Sequence, residues 1–330
     1  MPDLSGYFLL LDFLTTNDHR QMTSNYKLLT NNQKMFSPER HFTDWHLAGF
    51  GGAPAFLFKT IESTHTLMKQ RAAAGEIEPG TLLVADTQTK GRGRHERTWD
   101  SPAGKNIYFN ILIPLDGIPL AAAPQITQVA ALTFAEVFRD LQENANAQGF
   151  GNRDIGKVTV KWPNDILCGK SKFCGILAEL VYIKPLANAA TSLTTPMPAI
   201  SMGVGINVNS EPKDYAHLNR AVTSIKDICG QNINREKLLQ MLVGNFERAI
   251  GQFKAFGIRP WVEAWKRMDQ FIGARGTIVV NNRCTDENRN SGEGAFKKTG
   301  RIIDMNGDGS LLFECDDGSI ETVISADLEI

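Results

Sequence analysis

Between residues 124 and 141 the side chains Ile126, Val129, Ala130, Thr133, Phe134, Val137 and Leu141 recur at spacings of three and four. That pattern predicts an amphipathic helix, and its apolar stripe has to be buried against another layer. The flanking runs supply strands for that layer. Residues 81–86 (TLLVAD) and 106–114 (NIYFNILIP) read as strands before the helix, and 157–161, 166–168, 173–183 and 199–208 read as strands after it. A further helix is expected upstream, with Ser63 or Thr64 as N-cap and Gly75 closing it. Two more are expected at 234–256 and 259–270.

From about Phe271 the texture changes to short strands punctuated by Asn306-Gly307, Asp308-Gly309 and Asp317-Gly318. Such dipeptides supply the positive φ angles of tight hairpins, so residues 272–330 are expected to form a small all-β barrel. At 330 residues the chain has room for about two domains. Residues 1–50 are polar and weakly periodic, too few to build a core of their own. The expected division is therefore an extension of unassigned role over 1–50, a main domain over 51–271 and the barrel over 272–330. Residues 184–198 and the polar stretch 281–295 are expected as long loops between strands.

The 35 basic residues are balanced by 36 acidic ones, giving a formal charge of −1. A chain that coats phosphate backbones carries a global cationic excess, so the balance argues against that work. The apolar run Phe8–Leu14 is short, broken by Asp12 and not preceded by basic residues. It makes a poor signal peptide, and no stretch reaches the roughly 18 apolar residues of a membrane span. The five cysteines (168, 174, 229, 284, 315) form no CxxC pair. They are expected to be small buried thiols in a reducing cytoplasm.

Four segments carry candidate chemistry. The first is the loop Gly91-Arg92-Gly93-Arg94 through Arg97, Trp99 and Pro102, which concentrates guanidinium forks suited to phosphate oxygens beside an indole that can stack on a base. It matches neither the Walker A nor the GxGxxG spacing. Alone, it fits a solvated basic turn or a nucleic-acid contact as well as catalysis. The second is Lys161-Trp162-Pro163-Asn164-Asp165, where a lysine between Val160 and Trp162 is expected to be partly desolvated. The third and fourth are Lys172–Glu179 (KFCGILAE) and Gly203–Val208 (GVGINV), whose glycines sit inside β-rich runs where backbone can approach a ligand.

In this order the four segments closely resemble the biotin protein ligase family, with its GRGRxxRxWxSPxGxN loop, KWPND turn, KxxGILxE strand and GxGxNV strand. The likeness covers residues 56–330. It implies an α+β fold: a mixed, largely antiparallel sheet with packed helices, the class II synthetase-like catalytic fold of biotin and lipoate ligases, followed by an SH3-like C-terminal barrel. It also implies a two-step reaction in which biotin and ATP give biotinyl-5′-AMP and pyrophosphate, with Mg²⁺, after which a lysine of a biotin carboxyl carrier protein takes the acyl group. The carrier would belong to acetyl-CoA carboxylase or a related carboxylase, and no tightly bound prosthetic group is implied.

By motif, the resemblance assigns Ser63, Thr64, His65 and Gln88 to the ureido end of biotin, although the family commonly has asparagine where this chain has His65. Gly91, Arg92, Gly93 and Arg94 would close over biotin and the adenylate. Arg97 and Lys172 would meet phosphates, Trp99, Asn164 and Asn207 would serve the adenylate, and Gly175, Gly203 and Gly205 would admit the ligand to the backbone. Lys161 would bridge carboxylate and α-phosphate, with Arg94 beside it as the second catalytic cation. The ligase-repressors of this family carry an N-terminal DNA-binding domain. Residues 1–50 show no helix-turn-helix pattern, so DNA binding is not expected. The GRGR and KWPND pairing favours biotin over lipoate, and a homodimer is left open.

Overall fold

The computed structural model describes residues 41–95, 97–185, 195–218, 220–280 and 296–330. Most of the expected extension over 1–50, the middle of the 184–198 loop, the whole 281–295 stretch and Cys284 lie outside the described residues.

Seven strands form the main sheet: β1 (Ala55–Ile61), β2 (Leu82–Gln88), β3 (Ile107–Pro114), β4 (Val158–Lys161), β5 (Asp165–Cys168), β6 (Ser171–Ile183) and β7 (Met197–Ile206). Their spatial order is β1-β2-β3-β7-β6-β5-β4. Only the β1–β2 pair is parallel, and the other pairs are antiparallel. Among the described residues five α-helices accompany the sheet: α1 (Thr64–Ala74), α2 (Gln125–Ala147), α3 (Ile225–Cys229), α4 (Arg235–Phe256) and α5 (Arg259–Met268).

Strand periodicity explains how the sheet comes to have one closed and one open face. In β3, Ile107, Phe109, Ile111 and Ile113 belong to the large core under α2 and α4, because alternate side chains share a face. Ring contacts fix that layer: Phe109 to Phe134 at 6.3 Å, Phe134 to Phe246 at 5.5 Å and Phe138 to Phe173 at 5.1 Å. On the opposite face, Leu112 joins Met68, Ala72, Leu83, Val181 and Ile183 in a smaller cluster beneath α1. That helix covers only one end of the face and does not reach over Gly175 and Gly205, on which the Trp99 side chain lies instead.

The helix boundaries follow their caps. Ser63 is the N-cap of α1 and accepts from the Thr66 amide, while Gly75 closes the helix at φ 68°, the left-handed conformation that glycine adopts without steric cost. Helix α2 runs to Ala147, beyond the apolar stripe that signals it, because Ala145 continues the buried face. Two elements differ from the sequence reading. Strand β1 carries a mixed burial pattern at the sheet edge and no clean alternation. The five-residue α3 is short enough that its Ser224 cap is its clearest signal. Residues 42–52 pack onto this body: Trp45 is buried under the Arg235 guanidinium at 5.1 Å, and Phe50 meets Phe246 at 5.5 Å.

The C-terminal strands β8 (Arg275–Val280), β9 (Phe296–Met305), β10 (Leu311–Cys315), β11 (Ile320–Val323) and β12 (Asp327–Glu329) form one antiparallel sheet in the order β11-β10-β9-β8-β12. Gly309 and Gly318 take the expected positive φ, at 81° and 84°, but Gly307 does not. The reason is that Asn306 to Ser310 form one turn, in which the Asn306 carbonyl accepts from Gly309, so a single left-handed residue suffices. That turn docks the two sheets together, since the Gly309 carbonyl accepts from Trp162 Nε1 at 3.1 Å and Gln128 Nε2 at 2.8 Å. Cys168, Cys174, Cys229 and Cys315 are free and buried, and desolvation pushes the Cys168 thiol up to about 11 and the Cys229 thiol up to about 12. No helix among the described residues is long and apolar enough to cross a membrane.

Candidate active site

The open face of the sheet, the N-terminus of α1 and the loop after β2 enclose a cleft of about 710 Å³, solvent at its mouth included. At one end stand Ser63, Thr64, His65 and Gln88. Because Ser63 takes the capping role, Thr64 is free to turn to Gln88: its amide and hydroxyl donate to Gln88 Oε1 at 2.8 and 3.0 Å. Gln88 Nε2 in turn donates to Ser101 Oγ at 3.1 Å. These contacts fix the polar groups at this end of the cleft.

His65 sits deeper, buried with Asn110 and Ser201. The Asn110 amide nitrogen lies 3.1 Å from His65 Nδ1 and donates to Ser201 Oγ at 3.0 Å. His65 Nε2 lies 3.3 Å from Glu179 Oε2, and Glu179 also pairs with Lys69. An amide donor on Nδ1 leaves the ring proton on Nε2, facing the carboxylate. The close approach of His65, reinforced by Lys69, holds the Glu179 carboxyl at about 2 against the desolvating effect of burial.

The floor is bare backbone. Gly175 and Gly205 are direct partners across β6 and β7, and Trp99 lies on them. A Cβ on Gly205 would stand 2.4 Å from Trp99 Nε1 and Cε2, and one on Gly175 would stand 2.9 Å from Cζ3. The indole Nε1 is buried without a hydrogen-bond partner.

The loop that delivers Trp99 folds back on itself. Trp99 N donates to Gly91 O at 2.9 Å, Gly93 N donates to Arg97 O at 2.7 Å, and Arg92 bridges Thr98. A side chain at Gly91 would lie 2.3 Å from the Trp99 carbonyl oxygen, so this glycine serves the loop's own close approach. Among the described residues His95 is the one non-glycine at positive φ, 51°, a conformation uncommon outside glycine.

Arg92, Arg94, Arg97 and Lys172 line the cleft together, with Arg220 joining them from the segment before α3. Arg94 is enclosed, and desolvation lowers its pKa despite neighbouring Asp327 and Asp165. Its Nη1 donates to Asn164 Oδ1 at 3.1 Å, while Asn164 Nδ2 donates to Ile176 O at 2.6 Å. Lys172 pairs with Asp165 at 2.6 Å and lies 5.4 Å over the Trp99 ring. Arg97 pairs with Asp327 at 2.6 Å.

Three sequence-predicted residues stand apart from the cleft wall: Gly91, whose close approach is to the loop's own Trp99 carbonyl, Lys161 and Asn207. The Lys161 ammonium lies 5.5 Å over the Phe271 ring and is not on the cleft wall, although burial lowers its pKa and Asp165, Lys172, Asp327 and Arg97 are all within electrostatic reach. Asn207 donates to Thr223 O at 3.2 Å and lines an adjoining recess, which shares Trp99, Lys172 and Arg220 with the cleft. Sequence reasoning missed Asp327, Arg220 and the Asn110–Ser201 pair under His65. Asp165 closes the KWPND motif, but nothing in the motif says that it partners Lys172.

Comparison with known proteins places the chain in a family. Residues 57–194 match the family described as biotin/lipoate A/B protein ligases. The bifunctional ligase/repressor BirA of Bacillus subtilis is 30% identical over 275 residues, covering 83% of this chain and 72% of that protein. The biotin–[acetyl-CoA-carboxylase] ligase of Mycobacterium tuberculosis is 27% identical over 207 residues, 63% of this chain and 68% of that protein. In fold, the chain is similar to the Aquifex aeolicus biotin protein ligase solved with biotin and ATP. The TM-score is 0.61 at 24% identity, over 83% of this chain and 97% of that one.

Proposed function

As the chain belongs to the biotin protein ligase family, we propose that it activates biotin with ATP and transfers it to a lysine of a biotin carboxyl carrier protein. The observation that carries this reading is a glycine-floored cleft with fixed polar groups at one end and five cationic side chains, Arg92, Arg94, Arg97, Lys172 and Arg220, along its length. The first step brings a carboxylate to the α-phosphorus of MgATP. A new acyl–phosphate bond forms and the bond to pyrophosphate breaks. Both reactants are anionic, so the protein's task is to cancel their repulsion and align them.

Ser63, Thr64 and Gln88 are assigned to the ureido ring, with His65 and Gly203 beneath it. Arg92, Gly93, Arg94, Arg97 and Lys172 are assigned to the carboxylate–phosphate junction and the phosphates, and Trp99, Asn164 and Asn207 to the adenylate side. Lys161, desolvated against Phe271, is the ammonium assigned to the developing charge, and it must swing off that ring to reach the junction. In the second step the carrier's amine attacks the acyl carbon and AMP departs. A mixed anhydride is consumed by water unless it is enclosed, which is the work assigned to the loop over 91–99. We take 51–271 as the catalytic unit and 272–330 as the unit that supports it.

The test is to incubate the purified chain with biotin and labelled ATP, then with a carrier domain with or without its target lysine. Biotinyl-AMP followed by lysine-dependent labelling is expected. Failure to form any adenylate would overturn the proposal.

A further inference from the structure

The cations of the loop are already engaged by an anion from the other sheet. Asp327, the first residue of β12, is buried, and its Oδ2 lies 2.6 Å from Arg97. Its Oδ1 lies 3.6 Å from Arg94 Nη1 and 3.4 Å from His95 Nε2. Arg94 is fastened further to the same stretch, donating to Ser325 Oγ at 3.4 Å and Ala326 O at 3.2 Å. One carboxylate therefore lies within ion-pair distance of three side chains of the loop, and it lines the cleft that a triphosphate must enter. Two of its partners differ in a telling way. The Arg94 side chain is 18% exposed and also held by Asn164, whereas that of Arg97 is 60% exposed and reaches Asp327 from the solvent side.

We propose that Asp327 is a positioning residue, a resident counter-anion that acts through Arg94 and Arg97. With no pyrophosphate in the cleft it holds the loop down. The polyphosphate, carrying more charge than one carboxylate, draws the exposed Arg97 away, while Arg94 stays pinned as the hinge. When pyrophosphate leaves, Arg97 returns to Asp327 and the loop closes over the adenylate until an acceptor amine arrives. The charge bookkeeping favours this sequence, because adenylation replaces a polyanion in the cleft by one phosphodiester-like charge. The adenylate half of the proposal rests on the ligase reading above, but the loop half does not.

The experiment compares the full-length wild type with Asp327→Asn and Asp327→Glu. Limited trypsin digestion without nucleotide, followed by mass spectrometry, reads cutting after Arg92, Arg94 and Arg97. Asp327→Asn is expected to raise loop cutting about tenfold, the scale of losing the ion pairs that one carboxylate makes to the loop. Cutting elsewhere should hold steady, and Asp327→Glu should restore protection. Release of preformed biotinyl-AMP should speed up by about the same tenfold, while biotin-dependent pyrophosphate exchange falls less than threefold. Unchanged loop cutting in Asp327→Asn would overturn the proposal, as would exchange that falls in step with adenylate retention. Should Asp327→Asn fail to fold, Arg97→Gln tests the same clamp from the loop side, and unchanged cutting after Arg94 would overturn it. A wild type that makes no adenylate but shows the tryptic effect would sink the ligase reading and leave the clamp standing.

Discussion

A methyl group added at Gly205 should separate the two ends of the cleft. Its Cβ would stand 2.4 Å from Trp99 Cε2 and Nε1 and 2.9 Å from Cδ2. Carbon atoms rest about 3.5–4.0 Å apart, so the indole has to retreat by roughly 1 Å. It has little room, since it lies flat on Gly175 and Gly205 with the Lys172 ammonium over its ring. Overpacking of this kind costs about 1–3 kcal/mol, which lowers the melting temperature by a few degrees. A displacement of about 1 Å in a residue that positions a reactant also costs about 100-fold in rate, so kcat/KM for ATP is expected to fall by that order.

Gly203→Ala is the matched control. Its Cβ would meet Asn110 Nδ2 and His65 Nδ1 at 3.4 Å, ordinary contact that moves nothing. Its melting temperature should stay at the wild-type value, and its loss should appear in the KM for biotin. The assay is pyrophosphate exchange with one substrate varied and the other saturating, alongside thermal melting. Gly205→Ala with wild-type melting and wild-type kcat/KM for ATP would refute the placement of Trp99 on this floor. A reversed pattern between the two variants would exchange the ends.

Three further outcomes are expected. Lys161→Ala should lose about 10²–10³-fold in pyrophosphate exchange, yet melt within a few degrees of the wild type, because the cation–π contact it gives up, worth about 0.5–2 kcal/mol, is offset by removing a partly desolvated ammonium; near-normal exchange would remove Lys161 from its role. Arg94→Gly unfastens the loop from Asn164, Ser325, Ala326 and Asp327 at once, so it should still adenylate biotin but label lysines of unrelated proteins, and tight retention of the adenylate would count against the enclosing loop. Glu179 is held at about 2 from an ordinary 4.5, chiefly by His65. A depressed carboxyl stabilises the fold above its unfolded value and loses that contribution as pH falls through its folded one. Glu179→Gln should therefore melt below the wild type at neutral pH, the gap closing between pH 4.5 and 2, and a pH-independent gap would contradict the pairing.

The architecture was legible wherever local chemistry decides it. Period-four apolar spacing marked α2, the Ser63 and Gly75 caps marked α1, and Gly309 and Gly318 marked their turns, since each acts within a few residues of itself. Strand β1 was not legible, because its parallel partner β2 lies beyond α1 and its burial pattern does not alternate. The same distinction runs through the site. Motif residues such as Arg94, Lys172 and Gly205 could be named in advance, because the glycine and arginine types carry their chemistry with them. Asp327 could not be, as its meaning comes from a pairing more than 200 residues away in sequence. His65 stood out as a departure from the family pattern, but only the fold shows that Asn110, Ser201 and Glu179 occupy its ring nitrogens' surroundings. Lys161 marks a different boundary: its motif assigns it to the reaction, whereas the rotamer seen here rests on Phe271.

The proposed chemistry begins with one event, a vitamin carboxylate meeting the α-phosphate of ATP inside this cleft with no help from the carrier. Exchange of labelled pyrophosphate into ATP by the chain alone, with Mg²⁺ present and no acceptor protein, measures that event directly. Exchange that appears with biotin and stays at background without it, or with lipoate in its place, is the predicted result. Background exchange in all three conditions, or exchange indifferent to biotin, would contradict it.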